Sequence, residues 1–557
     1  MSEIDEDKIR AKADSGSDDG MQAEKLGVST TEQAGAGNLS RSQRILRRLF
    51  SRKSMERLRE DAGEHTNVLR RDLSAFDLTF VGIGAIIGTG IFVLSGVAAA
   101  ANAGPAIIVS FVIAAVASGL AAMSYSELAS MIPVAGSAYT YSYATLGEFI
   151  AWIIGWDLMV EYLFGAAAVS VGWSHYFVSF LQVCGAQVDE RFTSPPVIWD
   201  EANLAFRVSG AYLNLPGILV VFGLTVILML GIRESKFTNN IIVAIKVFVV
   251  VLFILAAAKF VDTSNLQPFV PENKGDDWRH FDSPLTLRIG VSGIFAGAQT
   301  VFFAYIGFDA VTTAAQEAKR PQRDLPIGII LSLVICTVLY IVTAFVMNGV
   351  VPYYKYLDDP SPIATATRAT GMTWLTIIVS LGAIFGLTSV MLIMLLGQTR
   401  VFYAMAHDGL LPSPFARVHP KFRTPWLPTI VCGVVSALLG GFLPVTLLSN
   451  MTSVGTLLAF LLVHIGIIIL RFTCPDVPRA FKIPGAYGIW MLFPILGVAV
   501  SLVLIVIADR ATLYRVAIWL GIGVIVYGFY GYHHSRIHNP EHDQKLHDID
   551  SQVRPAL

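Results

Sequence analysis

The chain has 557 residues, of which 54% are hydrophobic and 15% charged, and its formal net charge is −1. Its mean hydropathy is +0.61. This composition excludes a disordered chain, points away from an ordinary soluble enzyme and gives no basis for a nucleic-acid partner, so the sequence predicts a membrane protein.

The first part of the chain, residues 1–73, is polar. Acidic residues between Glu3 and Asp19 are followed by a basic run from Arg41 to Arg59. We expect the acidic part to be disordered and the basic part to lie against anionic lipid at the cytoplasmic surface. A solvated tail that sets orientation is favoured over a regulatory switch. Residues 534–557 are predicted to form a second cytoplasmic tail.

Between the tails, residues 74–533 contain about twelve apolar segments, each long enough to cross a hydrocarbon core of roughly 30 Å. They lie near residues 77–100, 105–130, 148–182, 215–232, 238–260, 290–315, 326–349, 373–400, 426–443, 451–471, 487–508 and 512–532. Loops expected on the cytoplasmic side are rich in Lys and Arg, and the opposite loops are uncharged or acidic. This asymmetry predicts an all-α multi-pass protein with both termini inside.

The first apolar segment, FVGIGAIIGTGIFVLSG, contains Gly82, Gly84, Gly88 and Gly90. This spacing favours a helix that breaks near Thr89, and a break in lipid is tolerated only where it is packed in protein or lines a cavity. The start of a second half-helix offers unpaired N–H groups that suit a carboxylate. The alternative is a glycine face for close packing of helices.

The sixth apolar segment carries a similar signal, with Gly293, Gly297 and Gly307 interrupting it. Two interrupted segments at corresponding places in two sets of five indicate an inverted repeat around a central site. We therefore expect repeats at about 77–260 and 290–471, followed by two additional helices at 487–532.

Several motifs together resemble the amino acid-polyamine-organocation superfamily, in particular its bacterial branch related to the cationic amino acid transporters. The motifs are GIGAIIGTGIF, NAGPA at 102–106, Ala135 to Glu148, WDLMVEY at 156–162, FFAYIGFDA at 302–310 and GQTRVFYAMAHDGLLP at 397–412. The resemblance covers roughly residues 74–533. It implies a LeuT-like fold with a 5+5 inverted repeat and transport of amino acids.

An amino acid zwitterion needs N–H donors at its carboxylate and carbonyl oxygens at its ammonium. The N–H groups of Thr89, Gly90 and Ile91 are predicted to hold the carboxylate. Carbonyls of three residues that end the first half-helices are predicted to hold the ammonium: Ile86, Phe303 and Ile306. The resemblance places backbone contacts at these same positions.

Coupling to an ion requires a titratable group within the membrane, and Lys246 in the fifth segment is the leading candidate. A lysine at this depth costs about 3 kcal/mol and is usually functional, since burial lets it exchange a proton near neutral pH. The resemblance adds that a lysine here stands where sodium-coupled relatives bind sodium. The alternative is a lysine that snorkels to the interface.

Two acidic residues are secondary candidates for proton coupling. Asp309, after Gly307, either relays a proton or pairs with Lys246, or it caps the second half-helix. Glu161 and Asp157 are spaced four residues apart on one helix face, so Glu161 fits a proton path or a structural polar role.

The side-chain pocket is predicted to include Phe303, Ile306, Val390, Met391 and Met394, all of which are apolar. Such a pocket favours small neutral or hydrophobic amino acids, although the branch is named for arginine and lysine transport. Aromatic and methionine side chains in spanning helices are often ordinary packing.

The leading hypothesis is a proton-coupled amino acid permease of the plasma membrane. Alternatives are a cationic amino acid transporter or exchanger, and an amino acid sensor that retains the carrier fold. No enzymatic motif is present, and Cys184, Cys336, Cys432 and Cys474 form no metal spacing. The sequence predicts no cofactor or metal beyond the proton as coupling ion, and its expected partners are substrate and lipid, with no obligate protein partner evident.

Overall fold

A computed structural model describes residues 40–53, 72–132, 137–200, 205–231, 236–271, 292–357, 359–422, 424–475, 477–485, 488 and 491–538. The acidic start of the chain and the basic residues beyond Lys53 lie outside the described residues. So do the predicted C-terminal tail beyond His538 and most of the acidic loop before the sixth segment.

The described residues are almost entirely helical. The first seven α-helices are α1 Arg41–Leu49, α2 Ala75–Ile86, α3 Ser95–Ala98, α4 Ile107–Met131, α5 Ser137–Thr145, α6 Glu148–Met159 and α7 Gly165–Val183. The middle of the chain forms α8 Leu215–Met229, α9 Lys236–Ala257, α10 Ser292–Val301, α11 Ala310–Thr313, α12 Pro321–Val350 and α13 Pro362–Ala369. The remaining helices are α14 Thr373–His407, α15 Trp426–Phe442, α16 Val445–Thr473, α17 Leu492–Ile507, α18 Arg510–Val526 and α19 Tyr532–His534.

Strands β1 Val197–Asp200 and β2 Ala205–Val208 form one antiparallel hairpin, with Val197 opposite Val208. Neither this hairpin nor the connecting helices α5 and α13 is predicted by the apolar pattern.

Within the described residues, eight helices are long and apolar enough to cross a membrane, and four shorter apolar helices accompany them. Large apolar side chains on the outer faces remain exposed, for example Leu255 and Phe529 at 72% and 82%. Exposed apolar surface of this extent suits contact with lipid tails. The protein is therefore a multi-pass membrane protein.

Helix α2 begins with a capping box that the sequence encodes locally. The Ser74 side chain accepts from the backbone N–H of Asp77, and the Asp77 side chain accepts from the backbone N–H of Ser74. Just before this box, the N–H of Leu73 donates to the Glu317 carbonyl, and the N–H of Lys319 donates to the Leu73 carbonyl. The chain leading into the first interrupted helix is thus tied to the chain leaving the sixth.

Helix α12 packs against α2 of the first interrupted segment and contacts α11 of the sixth. Helix α14 also contacts both α2 and α11, besides packing against α7 and α9. Both interrupted segments are therefore packed against long continuous helices, which is the arrangement that a helix break within a membrane requires.

One face of the bundle carries both described chain ends, Ser40–Lys53 and Ser535–His538, and we term it the terminal face. There Lys53 Nζ lies 2.7 Å from Asp408 Oδ1, and the two side chains are 8% and 9% exposed. Tyr139 donates a second hydrogen bond to Asp408. Burial alone would raise the pKa of Asp408, but the Lys53 charge and these hydrogen bonds hold it below its ordinary value.

Asp408→Asn tests this ion pair. A carboxyl group with a depressed folded-state pKa contributes stability that is present above its unfolded pKa and lost as pH falls through its folded pKa. We expect the variant to have an apparent melting temperature several degrees lower at neutral pH, because Lys53 is left buried without its counter-charge. The difference from the unmodified protein should shrink as the pH is lowered below 4. A pH-independent difference in the melting scans would contradict the ion pair's role.

Candidate functional site

The first interrupted helix breaks at Ile87 and Gly88. Helix α2 ends at Ile86, Ile87 adopts an extended conformation (φ −71°, ψ 98°), and the chain resumes as a π-helix at Gly90–Leu94. Thr89 already has helical backbone angles. The break therefore lies slightly earlier than the sequence predicts.

The sixth segment breaks after a short 3₁₀ turn at Phe302–Tyr305. Ile306 is extended (φ −66°, ψ 140°), Gly307 has φ +112°, and α11 follows at Ala310. The positive φ makes glycine the suitable residue at position 307. Gly293 and Gly297, in contrast, lie in or beside the unbroken turns of α10 and face Asn102 and Ser110. The prediction that all three glycines interrupt the helix is therefore wrong for these two, which permit close packing.

The two breaks contact each other directly. A Cβ atom on Gly90 would overlap the main chain of Ala304, and a Cβ on Gly307 would lie 2.9 Å from the Ala85 carbonyl oxygen. Glycine at each position thus lets one interrupted helix approach the backbone of the other. The result is a single zone of non-helical backbone in the protein interior.

Tyr340 of α12 joins the two breaks. Its hydroxyl oxygen lies 2.7 Å from the Ile86 carbonyl and 2.9 Å from the Ala304 carbonyl. Ile86 is the last residue of α2 and Ala304 lies in the 3₁₀ turn, so both carbonyls lie at the end of a helical stretch, where the tyrosine hydroxyl supplies a hydrogen-bond partner. Tyr340 is not predicted from the sequence, because one tyrosine in an apolar helix gives no indication of what it contacts.

The three predicted carboxylate-binding residues differ in their local hydrogen bonding. Thr89 is fully buried, and its hydroxyl has no hydrogen-bond partner among the described residues. It lies near Gly172 of α7. The N–H of Ile91 donates to the Gly88 carbonyl at 3.2 Å. Among the described residues, the Thr89 hydroxyl is therefore a buried polar group at this break without a hydrogen-bond partner.

The residues predicted to bind the substrate ammonium or to line the side-chain pocket are all buried. The Ile86 carbonyl already accepts from Tyr340, and the Phe303 carbonyl accepts from the N–H of Ile306. Each carbonyl oxygen retains a second lone pair. In α14, Val390 lies against Gly88, whereas Met394 lies against Gly165 of α7. Met391 is buried in the core.

Lys246 of α9 reaches the first break. Its side chain is fully buried, and Nζ donates to the Gly84 carbonyl at 2.6 Å and to the Ile87 carbonyl at 3.3 Å. Gly386 of α14 lies beside its aliphatic stem. The snorkelling alternative is therefore wrong, since the ammonium binds the carbonyl end of the first half-helix.

Asp309 lies at the second break and accepts hydrogen bonds from Ser137 at 3.0 Å and from Tyr162 at 2.5 Å. It makes no side-chain capping bond to α11, so the capping alternative is not seen in the described chain. Ser137 begins α5 and Tyr162 lies in a π-helical stretch, Val160–Phe164, between α6 and α7. Asp309 thus connects the sixth segment to two neighbouring elements.

Glu161 lies in the same π-helical stretch and is 1% exposed. Its carboxyl group lies near those of Asp309 and Asp157, and neither of its oxygens has a hydrogen-bond partner in the described ranges. Three buried carboxyl groups thus lie in one region of the interior. Buried polar groups of this kind mark functional sites or sites for ordered water.

The fold is that of a multi-pass membrane permease, in which two spanning segments break and touch in the interior. Residues 73–530 match the family model for amino acid permeases. The chain belongs to this family, within the amino acid-polyamine-organocation superfamily and related to the cationic amino acid transporters.

Three relatives show the range of the family. A branched-chain amino acid permease of Bacillus subtilis is 45% identical over 490 residues, covering 88% of this chain and 99% of the relative. A methylthioribose transporter of the same organism is 40% identical over 487 residues, covering 87% and 98%. A vacuolar cationic amino acid transporter of Arabidopsis thaliana is 38% identical over 464 residues, covering 80% and 66%.

Tyr340→Phe tests whether the hydroxyl that joins the breaks also shapes the binding region. Tyr356→Phe is a matched control, because Tyr356 donates to the Met347 carbonyl away from the breaks. Each variant loses a buried hydrogen bond worth about 1 kcal/mol, so both should melt a few degrees lower. Only Tyr340→Phe should also weaken amino acid binding, measured as the ligand-induced rise in melting temperature. An equal loss of binding in both variants would contradict a specific role for Tyr340.

Proposed function

We propose that this chain is a proton-coupled symporter that takes up small neutral and branched-chain amino acids across the plasma membrane. In this proposal it has twelve spanning helices, a 5+5 inverted repeat followed by two helices, and cytoplasmic termini. The observation that carries the proposal is the contact between the two breaks, with the Lys246 ammonium on the carbonyls of the first.

The zwitterion is proposed to bind at the contact between the breaks. Its carboxylate would accept from the N–H groups of Thr89 and Gly90 and from the Thr89 hydroxyl, at the positive end of the second half-helix. The buried Thr89 hydroxyl, which has no hydrogen-bond partner among the residues that the structure describes, supports this placement. The ammonium would lie at the carbonyls of Ile86, Phe303 and Ile306, on their remaining lone pairs.

The side chains around the two breaks favour neutral substrates. Phe303, Ile306 and Val390 are apolar and nearly fully buried. A cationic side chain placed among them would lose its hydration without gaining a counter-charge, which is costly. The similarity to a branched-chain amino acid permease supports the same conclusion.

Proton coupling is proposed to operate through Lys246. In its protonated form the ammonium holds the Gly84 and Ile87 carbonyls and fixes the end of α2. Loss of the proton would remove two charge-assisted hydrogen bonds and let α2 move relative to α9. Glu161 and Asp309 would carry the proton onward, since they are the buried acids next to the second break.

Lys246→Met tests the coupling residue in proteoliposomes that contain purified protein. We expect the unmodified protein to accumulate labelled leucine when the outside is made acidic, and the variant to lose at least nine-tenths of that gradient-driven uptake. Counterflow of leucine without a gradient should decrease less. Lys259→Met is the control, because Lys259 follows α9 at its far end. Undiminished accumulation by Lys246→Met would exclude this lysine as the coupling group.

A ligand screen by thermal shift tests the substrate class. A ligand that binds only the folded protein stabilises it by RT ln(1 + [L]/Kd), about 2.7 kcal/mol at one hundred times Kd. Leucine, isoleucine, valine and alanine should raise the melting temperature, whereas arginine, lysine and methylthioribose should not. A shift with arginine and lysine alone would instead indicate a cationic amino acid transporter.

A further inference from the structure

A cavity of about 700 Å³ lies on the terminal face, between α1 and the end of the last long helix. Its lining residues are Arg44, Ile45, Arg48, Leu49, Val524, Tyr527, Gly528 and Tyr532. One wall is therefore basic and the other apolar or aromatic. The proposed transport cycle uses none of these residues.

Helix α1 is held firmly enough to form a cavity wall. Ser40 and Gln43 make a capping box at its start. Near its end, Arg48 donates to the Tyr532 carbonyl at 2.5 Å, and its guanidinium lies 4.3 Å from the centre of the Tyr532 ring. The following residue pairs, Ser51 with His538 and Lys53 with Asp408, continue the attachment to the protein. The described part of the basic run, which ends at Lys53, thus packs on the protein as well as facing outward.

The basic side chains of the cavity indicate an anionic occupant. Arg44 contributes an exposed cationic side chain to its lining. Arg48 places a second guanidinium in the same lining, where it also donates to the Tyr532 carbonyl. Two guanidinium groups in one lining form a setting that suits a phosphate oxygen.

The opposite wall indicates that the occupant also has an acyl chain. A Cβ atom built on Gly528 would have no neighbouring atom within 4 Å, so the helix surface there is open. Ile525 and Phe529, close to Gly528 in the chain, are 59% and 82% exposed, as suits a lipid-facing surface. On α1, Ile45 and Leu46 are 37% and 54% exposed, beside the basic residues. A basic wall continuous with a lipid-facing apolar wall matches a phospholipid at the membrane surface.

We propose that the cavity between α1 and the Val524–Tyr532 stretch is a binding site for an anionic glycerophospholipid. The lipid phosphate lies at Arg44 and Arg48, and an acyl chain lies along Val524 and Gly528. The site favours anionic over zwitterionic lipid because its described lining contributes two cationic side chains. A bound lipid would fix α1 against the end of the last long helix.

The test is native mass spectrometry of the detergent-purified full chain with added phosphatidylglycerol or phosphatidylcholine. The unmodified protein should retain phosphatidylglycerol in preference to phosphatidylcholine. Arg44→Gln should weaken that binding about fivefold. Gly528→Phe keeps every charge but fills the open wall, and it should reduce binding by a similar factor. Arg417→Gln, which removes an exposed arginine elsewhere in the chain, should bind as the unmodified protein does.

Two results would overturn the proposal. Unchanged phosphatidylglycerol retention in Arg44→Gln and Gly528→Phe would mean that lipid binds elsewhere. Competition by inorganic phosphate or glycerophosphoglycerol at millimolar concentration, with Gly528→Phe still binding normally, would mean that the cavity takes a soluble anion. Arg48 is not substituted in this test, because it also attaches α1 to Tyr532.

Discussion

The structure depends on one constraint: main-chain N–H and C=O groups buried within a membrane must find partners, because lipid offers none. Breaking a helix there releases several of these groups at once. In this protein the released carbonyls of α2 find the Lys246 ammonium and the Tyr340 hydroxyl. The break is thus stabilised by side chains from two neighbouring helices, and some polar groups remain for a ligand.

The same constraint explains why the two breaks touch. Each break exposes backbone groups that a neighbouring side chain could cover only in part. Packing the two breaks together covers the backbone of both. Gly90 and Gly307 permit this approach, because a side chain at either position would collide with the backbone of the other segment. Substrate and coupling proton are proposed to act on these two small regions, which lie close enough to move together.

Part of this site could be predicted from the sequence. Glycines next to a threonine in an apolar run identified the first break to within about two residues, and Gly307 marked the second. The same reasoning was wrong for Gly293 and Gly297, because a small residue in a membrane helix permits either a break or close packing. Lys246 was identified because an isolated charge in an apolar helix is costly and stands out.

The rest of the site depends on contacts between distant parts of the chain. Tyr340 lies 254 residues from Ile86, and Tyr162 lies 147 residues from Asp309. Tyrosine is common in membrane-spanning helices, so the presence of a tyrosine does not indicate which carbonyl or carboxylate its hydroxyl contacts. The π-helical turn that carries Glu161 and Tyr162 also shifts the helix face expected from regular spacing. Only the tertiary structure brings these residues to the breaks.

The most direct measurement of the central claim is an electron cryomicroscopy structure of the purified protein with bound leucine. The account predicts density for the substrate between the two breaks, with its carboxylate within hydrogen-bond distance of the Thr89 hydroxyl and the Gly90 N–H, and with its side chain toward Val390. Leucine bound elsewhere, or first and sixth segments that become continuous helices around it, would contradict the account.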